Sequence, residues 1–182
     1  QVQRKKLSNG SNPYYYEDLS ESIQSGMIRL GYNLTDPLGI ALDLRDRKIY
    51  FVDAQVRGDS GGEDGIVIRC ELDGTGVEIA ANTNLGDPWA IVLDVEEGKM
   101  YLTDNHNRSL LSGDMRVYIN GSTSEQIKTI LDGVWQERTG EVEIETYYQP
   151  LLSPQCLQFD TRDEDLNMLY FSDFETGYIY TV

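Results

Sequence analysis

Three aspartates stand at one recurring position. Asp53, Asp104 and Asp173 each close a Tyr-x-x-Asp tetrapeptide: Tyr50-Phe51-Val52-Asp53, Tyr101-Leu102-Thr103-Asp104 and Tyr170-Phe171-Ser172-Asp173. Carboxylates serve general acid–base chemistry and oxygen-ligand metal sites. A further acidic group, Asp163-Glu164-Asp165 with Asn167, has the spacing of part of a Ca2+ loop. An EF-hand needs Gly at its sixth position and Glu at its twelfth. Those places hold Met168 and Phe174. A solvated turn is therefore the expectation, with a weak Ca2+ site as the alternative, and no cofactor is expected.

Gly58-Asp59-Ser60-Gly61-Gly62 matches the active-serine segment of trypsin-like proteases. That chemistry needs a histidine to take the serine proton and an aspartate to orient it. The one histidine, His106, follows the serine, the reverse of that family's order, so a Gly-rich loop is the reading. The same loop holds Arg57-Gly58-Asp59, a candidate adhesion loop that would present a guanidinium and a carboxylate to an integrin. His106 reads as a loop residue, because no Cys/His cluster or phosphate-cradling loop accompanies it. Trp89 and Trp135 read as packing residues, Trp135 being the better contact candidate. No catalytic residue and no metal ligand is assigned.

The aspartates belong to a longer repeat. Residues 37–53 read PLGIALDLRDRKIYFVD, residues 88–104 PWAIVLDVEEGKMYLTD, and residues 154–173 PQCLQFDTRDEDLNMLYFSD. Each copy has a leading proline, an apolar strand ending in Asp, a polar turn and a second strand. A strand-turn-strand unit repeated three times builds an array of small sheets.

Residues 1–25 read as an arm, with Tyr14, Tyr15 and Tyr16 along a surface groove. Residues 26–36 read as the end of a missing unit: Ile28 and Ile79 each lie nine positions before a proline, and both stretches end Asn-Leu-x-Asp-Pro. Unit A, 37–87, has strands over 40–43, 49–53, 66–72 and 77–81. Asp73-Gly74 is its hairpin turn, of type I′. Unit B, 88–153, has strands over 90–94, 100–104, 115–119 and 127–131. Its inserted linker, 132–153, carries an extra edge ribbon over 141–148. Unit C, 154–182, has strands over 157–160, 169–173 and 178–182. Twelve strands are expected, and no helix beyond a turn near Glu17 to Ser25, with residues 26–31 pairing against residues 178–182 of the same or a neighbouring chain.

The repeated P-x-G-I-A-L-D…K-I-Y-F-V-D, followed by I-x-R-C-E-L-D-G, resembles the YWTD repeat, or LDL-receptor class B repeat, over roughly residues 26–182. None of the three tetrapeptides keeps that family's Trp. The resemblance implies an all-β fold of four-stranded antiparallel blades in a β-propeller-like array. About three blades lie in this chain: a partial propeller, or half of a six-bladed one. It also implies structural work for Tyr50, Tyr101 and Tyr170, packed between blades, and for Asp53, Asp104 and Asp173, tied to neighbouring backbone. Open blade edges invite another chain.

Composition narrows the setting. Lys+Arg 15 against Asp+Glu 31 gives a formal charge of -16, which repels nucleic acid and anionic lipid. No apolar run is long enough to span a bilayer. The chain opens at Gln1, which reads as a mature or truncated product. Four of nine asparagines, Asn9, Asn33, Asn107 and Asn120, sit in N-x-[ST] sequons, where chance gives about one. They are glycosylation candidates and favour an extracellular glycoprotein. Cys70 and Cys156 fall in different units and are expected not to bridge. The expected function is a non-catalytic extracellular module that binds proteins or self-assembles. The alternatives are a subunit of an extracellular coat or filament, and a calcium-dependent propeller hydrolase.

Overall fold

The computed structural model describes residues 18–54, 65–82, 85–115, 127–132, 151–160 and 168–182. They form one helix, α1 (Ser20–Arg29), and eleven strands. Blade A comprises β1 (Pro37–Asp43), β2 (Lys48–Asp53), β3 (Ile66–Glu71) and β4 (Glu78–Ala81). Blade B comprises β5 (Pro88–Asp94), β6 (Lys99–Asp104), β7 (Ser109–Asp114) and β8 (Ile127–Asp132). Blade C comprises β9 (Pro154–Asp160), β10 (Met168–Asp173) and β11 (Ile179–Thr181). Each is an antiparallel meander in chain order. The architecture is a β-propeller-like array of blades that does not close on itself.

The blades stack through their first strands. Strand β5 lies against β1 and β2, and β9 lies against β5 and β6. Successive side chains on a strand point to opposite faces, so each central blade feeds two cores. Tyr50 and Val52 of blade A meet Ile91, Met100 and Leu102 of blade B. Leu110 of blade B meets Leu157, Leu169 and Phe171 of blade C. Burying each large apolar side chain contributes about 1.5–3 kcal/mol, and a third core lies on the other face of blade A around Met27, Phe51 and Ile68.

The first turns repeat as well. The first aspartate of the unit caps the polar turn: Asp43 Oδ1 accepts from Arg45 N and Asp46 N at 3.0 Å, and Asp94 Oδ1 accepts from Glu97 N at 3.0 Å. The turn ends in the left-handed region, at Arg47 (φ 58) in blade A and Gly98 (φ 70) in blade B.

Several expectations are corrected. Residues 26–36 are not a leading strand four, and residues 1–25 are not wholly an arm. Helix α1 runs through both. Leu19, Ile23 and Met27 recur at four-residue spacing and pack together onto Ile49, Phe51, Ile66 and Ile68 of blade A. Helix α1 ends in a Schellman motif: Tyr32 N donates to Met27 O and Gly31 N to Ile28 O, with Gly31 at φ 84. The supposed pairing of 26–31 with 178–182 falls with the strand, since residues 26–31 are the last turn and cap of helix α1. The repeat match upstream of Pro37 is real only over the lead-in 33–36.

Strand three of blade B is β7, earlier than the expected 115–119, because Asp104 turns the chain back within five residues. The Asp73-Gly74 turn is not type I′. Of the pair only Gly74 has positive φ (78), with Gly74 N donating to Glu71 O and Glu71 N to Thr75 O. That is the three-residue hairpin loop that ends in a left-handed glycine. The expected ribbon at 141–148 and the tyrosines at 14–16 lie outside the described residues.

Candidate functional site

The three repeat aspartates are buried at one rim and do the same work. Asp53 Oδ2 accepts from Thr35 N at 2.9 Å, and its Oδ1 accepts from Thr35 Oγ1 at 2.8 Å and Asp36 N at 3.3 Å. Asp104 Oδ2 accepts from Gly86 N at 2.7 Å, and its Oδ1 from Asp87 N at 3.1 Å and Asn107 N at 2.9 Å. Asp173 Oδ2 accepts from Leu152 N at 2.8 Å and Ser153 N at 2.9 Å, and its Oδ1 from Thr176 N at 3.0 Å. Each carboxylate thus pins the lead-in of its own blade, and Asp104 and Asp173 also cap the following turn. Burial alone would raise the Asp173 pKa, but the backbone N–H groups of Thr176, Ser153 and Leu152 outweigh it and hold the group below the usual carboxylate range.

The three tyrosines hold one position but differ in surroundings. Tyr50 is 2 % exposed, and its hydroxyl donates to Met115 O of blade B at 3.4 Å. Tyr101 is half-buried against Phe159 of blade C, ring centroids 5.6 Å apart. Burial, then the charges of Asp94 and Glu97, raises its pKa. Tyr170 is 42 % exposed. Among the described residues no later blade covers it. On the same face lie exposed Gln158 and Cys156, and Ile179 at 80 % exposure. At the other end of the array, Ile40 (65 %) and Leu42 (53 %) of β1 stand open. Their repeat equivalents Ile91 and Leu93 sit in the A–B core.

The other candidates scatter. Arg57, Gly58, Asp59, Asn9, Asn120, Trp135 and the acidic group 163–165 with Asn167 lie outside the described residues. Asn33 and Asn107 are exposed. Asn33 Oδ1 accepts from Gln24 Nε2 at 3.4 Å, and Asn107 Nδ2 donates to Asp104 Oδ2 at 3.1 Å. His106 is exposed beside Gly86. Trp89 Nε1 donates to Asp87 Oδ2 at 3.0 Å. Among the described residues no three His, Cys, Asp or Glu side chains gather to hold a metal, and no helix is long and apolar enough to cross a membrane. Both cysteines are free thiols. Cys70 is buried, with its pKa pushed up to about 11 by burial, and Cys156 is exposed.

Sequence reasoning passed over Arg69. It is nearly buried on β3, and its Nε donates to Glu78 Oε2 at 2.7 Å. Its Nη1 donates to Tyr50 Oη at 3.3 Å and across the joint to Met115 O at 3.2 Å. A lone arginine inside an apolar strand, one cross-strand step from the repeat tyrosine, was the available signal.

No family model matches the chain, and no curated protein does. Among solved structures, the chain is similar to one in a crystal structure of a nidogen–laminin complex, with 15 % identity and a TM-score of 0.45. That match covers 80 % of this chain and 47 % of the other, so the chain spans about half of that neighbour's length.

Proposed function

We propose that the chain is a non-catalytic, extracellular protein-binding module of the YWTD repeat class, and that its repeat aspartates are scaffold rather than site. The observation that carries this reading is the trailing face of blade C, where Tyr170 and Ile179 are exposed and which no later blade covers among the described residues. Exposed apolar groups gathered on one sheet face suit a protein partner. Two further features support it. The repeat carboxylates are engaged by backbone N–H groups, an arrangement that serves structure before chemistry. The four sequons favour an extracellular setting.

Cys156 offers a direct test, because it is exposed on the same face. A benzophenone maleimide attached there and irradiated in extracellular fluid should yield protein adducts. They should vanish in Tyr170→Asp and be absent when the label sits on an engineered cysteine at Ser25 of α1. Adducts indifferent to Tyr170→Asp, or none at all, would overturn the reading. A thermal midpoint raised by Ca2+ and reversed by chelator would instead favour the hydrolase class.

A further inference from the structure

Blade B buries a hydroxyl that the fold does not use. Ser109, the first residue of β7, is 2 % exposed, and its Oγ is buried with no hydrogen-bond partner. No other buried side-chain oxygen or nitrogen among the described residues is left so. A buried polar group without a partner costs stability and calls for a reason. The repeat shows the apolar alternative. Asp104 pairs with Ser109 as Asp53 pairs with Ile66, and in blade C Asp173 N donates to Tyr178 O at 3.0 Å. The equivalents of Ser109 are therefore Ile66 and Tyr178. Ile66 is buried in the core beneath α1. Packing alone would put an apolar residue at position 109.

Ser109 is also the third residue of a sequon, Asn107-Arg108-Ser109. Its hydroxyl is what marks Asn107 as an acceptor. Asn107 is exposed, so the folded chain has room for a glycan there. The sequon itself is closed. Asn107 N donates to Asp104 Oδ1 at 2.9 Å, and Asn107 Nδ2 donates to Asp104 Oδ2 at 3.1 Å. Arg108 holds a left-handed turn at φ 51. Ser109 lies between two strands, paired with Asp104 of β6 and Asp132 of β8. A transferase reaches that hydroxyl only if β7 is out of the sheet. The sequon Asn33-Leu34-Thr35 differs, because the Thr35 hydroxyl donates to Asp53 Oδ1 at 2.8 Å. The fold accounts for Thr35 and does not account for Ser109.

We propose that Asn107 carries an N-linked glycan added before blade B folds, and that position 109 keeps its hydroxyl for that transfer and not for the blade. This rests on the extracellular part of the reading above. In the transfer, Asn107 Nδ2 attacks the anomeric carbon of a lipid-linked oligosaccharide diphosphate. The N–C bond forms and the C–O bond to the diphosphate breaks. The lipid diphosphate leaves with the electron pair, and one amide proton passes to a base of the transferase. The other N–H remains for Asp104 Oδ2. Strand β7 then closes over Ser109, and the glycan stays outside, on the rim that Asp104 marks.

The full chain, sent through the secretory route of cultured mammalian cells and analysed by glycosidase release and peptide mass, reads the proposal. Total cell protein is taken, so that a folding defect does not enter. The expected result is glycan on Asn107, lost in Ser109→Ala and kept in Ser109→Thr, with Asn33 unaffected by either. Glycan kept in Ser109→Ala, or lost in Ser109→Thr, counts against it. A chain with glycan on Asn33 and none on Asn107 sinks this inference alone. No glycan on any of the four sequons also removes their support for the extracellular setting. The order of events is read with purified oligosaccharyltransferase and its lipid-linked donor. A peptide of residues 102–112 should be modified, and Asn107 of the folded, unglycosylated full chain should not. Equal modification of both overturns the order. The hydroxyl is read in the unglycosylated chain, where Ser109→Ala should keep or raise the urea midpoint, because it removes an unpaired buried group. A lowered midpoint would give the hydroxyl a place in the fold and overturn the proposal.

Discussion

Replacing Asp104 by alanine tests whether the repeat carboxylates are joints or chemistry. Asp104 is 0 % exposed and takes hydrogen bonds from Gly86 N at 2.7 Å, Asp87 N at 3.1 Å, Asn107 N at 2.9 Å and Asn107 Nδ2 at 3.1 Å. The Gly86 N–H is buried, and leaving it without an acceptor costs about 1–3 kcal/mol. Asp87 and Asn107 are within reach of water, so each lost bond there costs about 0.5–1 kcal/mol. The sum is about 2.5–6 kcal/mol, a large fraction of the roughly 5–15 kcal/mol that holds a domain folded. Urea unfolding followed by far-ultraviolet circular dichroism measures it. The control is Asp46→Ala, which removes only an exposed ion pair with Arg45 at 3.6 Å and should change stability by less than about 0.5 kcal/mol. A buried carboxylate kept for catalysis or for a metal would give the opposite sign, because removing it relieves a desolvation cost. Asp104→Ala as stable as the wild type, or more stable, would refute the structural reading.

Four further outcomes follow from the geometry. Gly39→Ala should lose about 1–3 kcal/mol, because the new methyl meets backbone of β5 that cannot give way; unchanged denaturation would mean that the joint is looser than described. Arg47→Gly should gain up to about 1 kcal/mol, since Arg47 holds the left-handed conformation that Gly98 takes in blade B; a loss in thermal midpoint would count against strain there. A thiol reagent at neutral pH should label one cysteine quickly, Cys156, and Cys70 only after denaturation, as its burial and its pKa of about 11 require. For Asp173 the folded pKa is lowered, so its contribution is complete above the unfolded carboxylate value of about 4 and is lost as pH falls through the folded value. Asp173→Asn should flatten that acid limb of the stability curve, and a limb of unchanged steepness would assign it to other groups.

The blade repeat was legible because its signals are local. Proline, a short apolar run, Asp, a polar turn and Tyr-x-x-Asp occupy adjacent positions, and each has a steric or hydrogen-bonding reason to be there. The strands of blade A fall within two residues of the places their patterns indicate for β2, β3 and β4. The reading failed where two patterns competed. Residues 26–36 share Asn-Leu-x-Asp-Pro with the next unit, and that match holds, because Thr35 and Asp36 bind Asp53 as Gly86 and Asp87 bind Asp104. Extending the match upstream overrode the four-residue spacing of Leu19, Ile23 and Met27 and the helix-ending Gly31, which were on view. In blade B, β7 lacks a β-branched run, since Ser109-Leu110-Leu111-Ser112-Gly113-Asp114 carries none, and the Val-Tyr-Ile pattern further on drew the strand past its place.

By itself the sequence determined the repeat, the acidic charge, the sequons and which residues recur. It could not say that the recurring tyrosines lead different lives. Tyr50, Tyr101 and Tyr170 have equal local context, and only the stacking of blades makes one buried, one half-buried and one exposed. The same holds for Ile40 against Ile91, and for Arg69, whose partners Tyr50 and Met115 lie 19 and 46 residues away in the chain. Burial is a property of neighbours brought from far along the chain, and no window of local sequence contains it.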